Sequence, residues 1–408
     1  MSLHVEHACP QCGAPLEMEQ THRLLRCNYC TVQSFLVNTG PLHFILPRRE
    51  PDPYTIYAPY HHFKGTIYSC LDSRIEHRLA DISTRGVKLA FLPASLGLRP
   101  QAMKMRFATP ELPGTFLKST MKKEHILKRA AKNLYIRDEK ILHQAFIGDV
   151  LDIIYLPLSI REEQIIDGII DRPIAQIQGN ATPFADAEID NYTWKPVFLS
   201  ALCPQCGWNL EGEPERVVLV CANCNTAWQA ANNNFSAVQI KITPSANRNA
   251  LYIPFWDFKV TARGLKLDSF ADFIRITNQP LVIRPEWEEL PLHFIIPAFK
   301  VRPNDFLRLG SQMTISNRHT LPTDDDVSNK NLHPATLLHN DAARSLTTIL
   351  ANSTVAGTNV FPYLPEIKFE IIEHSLHYLP FEKTSHELQQ IHMGITINQR
   401  VLDYGRSL

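Results

Sequence analysis

The chain has 408 residues, with 41 Lys+Arg against 41 Asp+Glu, so its formal net charge is zero. Hydrophobic residues make up 44% and charged residues 20%, which excludes a disordered chain and a wholly cationic nucleic-acid sleeve. Proline is frequent (29) and glycine scarce (16), favouring rigid turns over glycine-rich phosphate loops; no dinucleotide, Walker A or nucleophile-elbow motif occurs.

The N-terminus carries no basic-then-apolar export pattern, and no run of 18 uncharged apolar residues could cross a bilayer. The expectation is a cytoplasmic protein in a reducing compartment, where paired cysteines hold metal more often than they form disulfides.

In chain order, the first element is a four-cysteine unit, residues 1–40. Cys9/Cys12 and Cys27/Cys30 are Cys-x-x-Cys pairs with fourteen residues between them. Such a turn places two sulfurs on one side of an ion, and a short hairpin brings two more to the other side. Four thiolates at about 2.3 Å satisfy tetrahedral zinc and leave no open position. A redox pair or an iron–sulfur cluster is the alternative use of these thiols. Gly13 follows the first turn, where positive φ is needed; Thr31, in the matching place after the second, is expected not to adopt it cheaply. An α+β unit, 41–195, follows. Tyr57-Ala-Pro-Tyr-His-His-Phe-Lys64 reads as a strand covered on both faces, with its proline at an edge or bulge. Cys70, the ninth cysteine, reads as a buried small hydrophobe. Lys118–Tyr135 reads as a helix, and Asp149–Ile160 as extended. Ile165–Ile170 fits strand or helix.

The pattern then restarts. A second four-cysteine unit, 196–236, holds Cys203/Cys206 and Cys221/Cys224 at the same spacing, with Gly207 and Asn225 after its turns. From Cys9–Cys30 to Cys203–Cys224, 11 of 22 positions are identical at an offset of 194. The aromatic block recurs at offset 195 as Tyr252-Ile-Pro-Phe-Trp-Asp-Phe-Lys259, Leu89-x-Phe91 at 203 as Leu292-x-Phe294, and Tyr155-Leu-Pro-Leu158 at 223 as Tyr378-Leu-Pro-Phe381. Four collinear blocks imply an internal duplication, with halves meeting near Asn191–Leu199 and no Gly/Ser linker to separate them. The second α+β unit, 237–408, should contain a long exposed loop at Ser311–His333, a helix near Pro334–Ala351 and an extended segment at Glu366–Phe381. The expected class is therefore α+β: a duplicated zinc ribbon, each copy followed by a β-rich unit, with two structural Zn2+ per chain.

Other chemistry is thin. His386-Glu387-Leu388-Gln389-Gln390 has glutamine where a metalloprotease helix needs its second histidine, and His374 and His377 have Leu151 and Ile154 as counterparts. Asp324–Asp326 lacks the glycine and closing glutamate of a calcium loop. The reading is a non-enzyme.

Cys-Pro-Gln-Cys-Gly with a second Cys-x-x-Cys, followed by the aromatic-Pro-aromatic block, resembles a group of bacterial tandem zinc-ribbon proteins. Their ribbons are similar to those of the primosomal replication helicase and of transcription-initiation factors. The resemblance implies metal binding and, through some members, a link to flotillin-like membrane scaffolds, hence peripheral membrane association.

Two roles follow. One is a protein–protein adaptor, with Tyr57, Tyr60, Phe255 and Trp256 offered as contact surface. The other is a nucleic-acid-binding accessory protein, with Lys122, Lys123, Arg129 and Lys132 contacting phosphate. Residues 1–50 hold four basic and four acidic residues, and residues 201–230 hold one and three. Neither ribbon has the positive surface that a phosphate backbone requires, so the adaptor is preferred.

Overall fold

The computed structural model describes residues 3–37, 40–48, 52–72, 74–121, 127, 140–177, 183–317, 322–324, 326–355 and 359–405. The first half gives β1 (His4–Ala8), β2 (Pro15–Glu19), β3 (Leu24–Arg26), β4 (Gln33–Val37), β5 (His43–Ile45), β6 (Ile56–Cys70), β7 (Ile75–Arg85), the single turn α1 (Arg99–Ala102), β8 (Lys104–Phe107), β9 (Thr115–Phe116), β10 (His143–Arg161), β11 (Gln164–Asp167) and β12 (Arg172–Gln176). The second half gives β13 (Val197–Ser200), β14 (Val218–Val220), β15 (Ala227–Ala231), β16 (Asn234–Val238), β17 (Ile240–Ile242), β18 (Leu251–Arg263), α2 (Phe270–Ile276), β19 (His293–Pro297), α3 (Pro303–Ser316), β20 (Asn331–Leu332), α4 (His339–Ala343), α5 (Leu346–Asn352), β21 (Lys368–Lys383), β22 (Glu387–Gln390), β23 (Ile395–Asn398) and α6 (Gln399–Gly405). Helices and strands are both present, with strand in excess.

Each half is organised on one long antiparallel pair: β6 with β10, and β18 with β21. Both aromatic blocks lie in these strands. Tyr57 faces Pro157 as Tyr252 faces Pro380, and Phe63 faces Leu151 as Phe258 faces His374. These partners are separated by the sequence offsets 195 and 223. A register shift leaves Asp149 unpaired in the first pair and Ile372, again 223 residues on, unpaired in the second. A short parallel strand flanks each pair, β5 on β10 and β17 on β21.

The aromatic strands are paired on both sides rather than lying at an edge. Pro59 and Pro254 are tolerated because each stands one residue beyond the end of the ladder to its second neighbour, β7 or β19. There the proline carbonyl still accepts an N–H, from Gly86 or Ala298, and the missing donor has no strand partner to lose.

Some expectations change. Ser311–Ser316 is not loop but the end of α3, whose Pro303 sits at the first turn, where a missing N–H is harmless. Further along that segment Asp324 bridges Ile242, and residues 318–321 and 325 lie outside the described residues. The single helix expected at Pro334–Ala351 is two short ones, α4 and α5. Ile165–Ile170 begins as strand β11, folding back on β10. Of the helix expected at Lys118–Tyr135, Lys118 is not helical but donates its N–H to the Glu188 carbonyl and ion-pairs with the Glu188 carboxylate, and residues 122–126 and 128–139 lie outside the described residues.

The halves share one interior. Helices α4 and α5 contact β18 and β21 on one side and β10 on the other, α5 reaching β6 and β7 as well. Tyr68, Cys70, Ala145 and Ile147, from the far ends of β6 and β10, are buried in the same core as the helices of the second half. The Tyr68 hydroxyl donates to the Pro303 carbonyl at 3.3 Å. Cys70 is fully buried and its thiol is pushed up to about 12 by that burial, so it packs and does not react.

Candidate metal centres

Each cysteine pair lies on a knuckle of the same construction. The first cysteine's carbonyl accepts an N–H from the residue four on: Gly13 to Cys9 at 2.9 Å, Thr31 to Cys27 at 3.0 Å, Gly207 to Cys203 at 2.8 Å and Asn225 to Cys221 at 3.0 Å. The first cysteine's own N–H closes the turn on the carbonyl of the next residue, Ala14, Val32, Trp208 or Thr226, at 2.7–3.0 Å. This geometry requires positive φ at the fourth residue. Gly13 and Gly207 adopt 74°, Asn225 61° and Thr31 60°. Thr31 therefore accepts the left-handed conformation expected to be costly for a β-branched side chain, held by the two turn hydrogen bonds around it.

The knuckles face each other in pairs. Cys9 Sγ lies 3.8 Å from Cys30 Sγ, and Cys12 Sγ 3.7 Å from Cys27 Sγ. In the second unit Cys203–Cys224 is 3.6 Å and Cys206–Cys221 3.5 Å. Within each unit the four ligand atoms lie within 4.8 Å of one another. A tetrahedron with Zn–S of about 2.3 Å has edges of roughly 3.8 Å, so both sets fit a four-thiolate ion and are far too wide for disulfides. All eight cysteines are free.

The electrostatics also ask for a cation. The backbone N–H groups of Cys30 and Tyr29 pull the Cys27 thiol down to about 6, while burial pushes Cys221 up to about 12. Four adjacent thiolates repel one another, and only a bound cation stabilises all four charges together. In both units the first cysteine of each knuckle is buried, and Cys12 and Cys206 are exposed. Each site is thus half sunk into protein.

The two sites are parts of one body. β13, the lead strand of the second unit, pairs with β4 of the first, from Val197 opposite Val37 to Ser200 opposite Ser34. Arg23 N and Leu24 N both donate to the Pro214 carbonyl, at 2.7 and 3.0 Å. Leu24 and Phe35 share a core with Leu210, Leu219, Trp228 and the ligands Cys203 and Cys221.

A buried polar chain fixes the first unit to its sheet. Gln20 Nε2 donates to Asp152 Oδ2 at 2.6 Å and approaches His62 Nδ1 at 3.3 Å; His62 Nε2 reaches Asp81 Oδ1 at 2.8 Å. Leu42 N donates to the other Asp152 oxygen. Burial raises the Asp152 pKa above the ordinary carboxylate range. In the second half the corresponding cross-strand pair is Asp257 opposite Ser375, and Asp257 is engaged by His293 at 2.6 Å and Lys241 at 3.6 Å.

The remaining sequence candidates fare differently. Tyr57, Tyr60, Phe255 and Trp256 are not surface: they are 7%, 0%, 0% and 0% exposed. Their strands are covered on both faces, so the side chains build core and offer no contact area. Lys122, Lys123, Arg129 and Lys132 lie outside the described residues. His386-Glu387-Leu388-Gln389-Gln390 runs into strand β22, so its side chains alternate and cannot form a one-sided helical ligand pair. His377 is spent on Thr243 Oγ1 at 2.9 Å, and His374 stacks on His339. Asp326 caps its own loop and accepts from Asn225 Nδ2, docking that loop on the last knuckle.

Sequence reading did not single out the exposed apolar residues of the knuckles. Tyr29 (71% exposed) and Val32 flank Cys30, and Leu202 and Trp208 (56%) flank the Cys203 knuckle; all four are solvent-exposed. The only signal was that each sits at or next to a ligand turn, where packing does not require a large side chain. Among the described residues, no helix is long and apolar enough to cross a membrane. Compared with known proteins, the chain matches no family model, no curated protein and no solved structure.

Proposed function

We propose that this chain is a non-catalytic protein–protein adaptor built on two structural zinc ions, in which a duplicated ribbon forms one rigid platform. The observation that carries it is the joining of two four-cysteine clusters into a single body through the β13–β4 ladder and a shared core. A closed site supplies shape rather than chemistry, and pairing two such sites supplies a stiff surface. On that surface Tyr29, Val32, Leu202 and Trp208 are exposed apolar side chains near the knuckles, the residue types that anchor protein interfaces. The duplication is supported by the repeated register, bulge and knuckle hydrogen bonds.

The test is affinity purification from the native cell with the intact chain and with a Tyr29→Ala/Trp208→Ala variant. A specific partner retained by the intact chain and lost by the variant, with metal content unchanged, is the expected result. Salt-sensitive micromolar binding to DNA or RNA, with no protein partner, would replace this reading by the nucleic-acid one.

A further inference from the structure

Each residue of the first cysteine cluster has a counterpart 194 positions on in the second, and the four ligands are the same. What differs is how side chains hold the two knuckles of a cluster to each other. In the second cluster the Thr226 hydroxyl, just past the Cys221 knuckle, donates to Gln205 Oε1 on the Cys203 knuckle at 2.6 Å. The Asn223 side chain, between Cys221 and Cys224, donates to Cys206 of the opposite knuckle. Asn225 adds a tie to the chain beyond, donating through Nδ2 to Asp326 Oδ1 at 3.1 Å.

The first cluster keeps the glutamine, as Gln11, but Val32 stands in place of Thr226, Tyr29 in place of Asn223 and Thr31 in place of Asn225. Valine has no donor, and Tyr29 is 71% exposed. Among the described residues, no side-chain hydrogen bond from Gln11, Tyr29 or Thr31 and no backbone hydrogen bond joins the two knuckles. The knuckles also belong to different sheets. The Cys9 knuckle tops the β1/β2 hairpin, which pairs with β8, and the Cys27 knuckle tops β3/β4, which pairs with β13. In the first cluster the metal is therefore the tie between knuckles; in the second it is assisted by lacing side chains. Hydrogen bonds that orient the ligands of a metal are worth roughly 10–100-fold in its affinity.

We propose that the first cluster is an exchangeable zinc site and the second a permanent one, so that zinc supply regulates the Cys27 knuckle and the Tyr29 and Val32 side chains it carries. With zinc plentiful both ions are bound and the platform is complete. As free zinc falls, the first site empties while the second holds, and the Cys27 knuckle loses its tie to the β1/β2 hairpin. The effect on partner binding rests on the adaptor reading; the exchange itself does not.

The test places the full chain, loaded with two zinc ions, in excess EDTA. Native mass spectrometry counts the ions, and N-ethylmaleimide labelling with peptide mapping locates the freed thiols. One ion should leave at least about tenfold faster than the other, and the one-zinc species should carry label on Cys9, Cys12, Cys27 and Cys30. Tyr29→Asn/Val32→Thr, which puts the second cluster's residues at two exposed positions of the first, should slow the fast loss toward the slow one. Asn223→Tyr/Thr226→Val should speed the slow loss toward the fast one. Loss of both ions at one rate, first labelling of Cys203, Cys206, Cys221 and Cys224, or a Tyr29→Asn/Val32→Thr variant that sheds its first ion as fast as wild type would each overturn the proposal. None of these readouts needs a partner, so ions lost together would remove the exchange and leave the adaptor reading standing, and a missing partner would do the reverse.

Discussion

The strand pairs β6/β10 and β18/β21 share register and bulge, yet their far ends carry opposite chemistry. In the first pair that end presents Tyr68, Cys70, Ala145 and Ile147, all buried against the helices of the second half. In the second pair, the counterparts of Tyr68, Ala145 and Ile147 are Arg263, Lys368 and Glu370, with Arg263 and Glu370 ion-paired at 3.1 Å in solvent, while the counterpart of Cys70, Leu265, still packs on the core. One backbone plan thus supports an internal face or an outer face, and the side chains follow what covers them. The first half is completed by helices that the second half supplies. The second half ends that face with charge, so no further copy is invited to stack on it.

That asymmetry gives the predictions their order. The largest effect is expected at the metal. Cys221→Ser should release one ion and unfold the second ribbon, because metal binding and folding are one equilibrium. Since Leu24 and Phe35 share that ribbon's core, the first ribbon should lose thermal stability as well; thermal melts followed with metal analysis would read both effects. A first ribbon that melts unchanged would break the one-body account.

Next comes the seam. Tyr68→Ala should cost about 3–5 kcal/mol, as aromatic deletions in cores do, whereas Arg263→Ala, at the corresponding end of the second pair, should cost no more than about 0.5 kcal/mol. Denaturant melts of the two variants compare the ends directly, and equal costs would erase the distinction.

The acid side is smaller. Burial lowers His61 and His377 to about 4. A histidine whose folded pKa lies below its unfolded value of 6.5 contributes stability above that value, lost as pH falls toward 4. Wild type should therefore lose stability between pH 6.5 and 4, and His61→Gln should flatten part of that slope at fixed metal occupancy. Asp152 has the opposite sense: its folded pKa is raised, so its ionised form opposes folding once pH rises above the unfolded carboxylate value. Asp152→Asn should gain on wild type as pH is raised from below 4 toward 7.

The smallest effect concerns the knuckles. Thr31 alone among the four turn residues is β-branched at positive φ. Thr31→Gly should raise stability by about 1 kcal/mol, whereas Gly207→Thr should lower it by a similar amount or more; the contrast sharpens the comparison of the two ribbons.

Much of this was legible in the sequence, for reasons that differ by element. The eight clustered cysteines were readable because a four-thiolate metal site imposes spacing on the chain itself: two residues within a knuckle and fourteen between knuckles. The strand pairs were readable because a twice-covered strand is apolar on both faces, as at Tyr57–Phe63. The same pattern did not reveal that Tyr60 and Trp256 are fully buried, since a bulky residue reads alike in a core and at an interface. Helix α3 was missed because Pro303 reads as a turn when its place at a first helical position is unknown. The shared core of Leu24 with Trp228, and of Tyr68 with Phe306, joins residues some 200 positions apart, and no local period encodes such a contact.

The account's central claim is that two saturated four-thiolate ions sit in one body. X-ray absorption at the zinc edge on the purified chain, with metal content quantified on the same sample, tests it most directly. The prediction is two zinc ions per chain, each with four sulfur neighbours near 2.3 Å and no light-atom ligand. One ion or none, nitrogen or oxygen in the first coordination sphere, or an iron edge in place of zinc would contradict it.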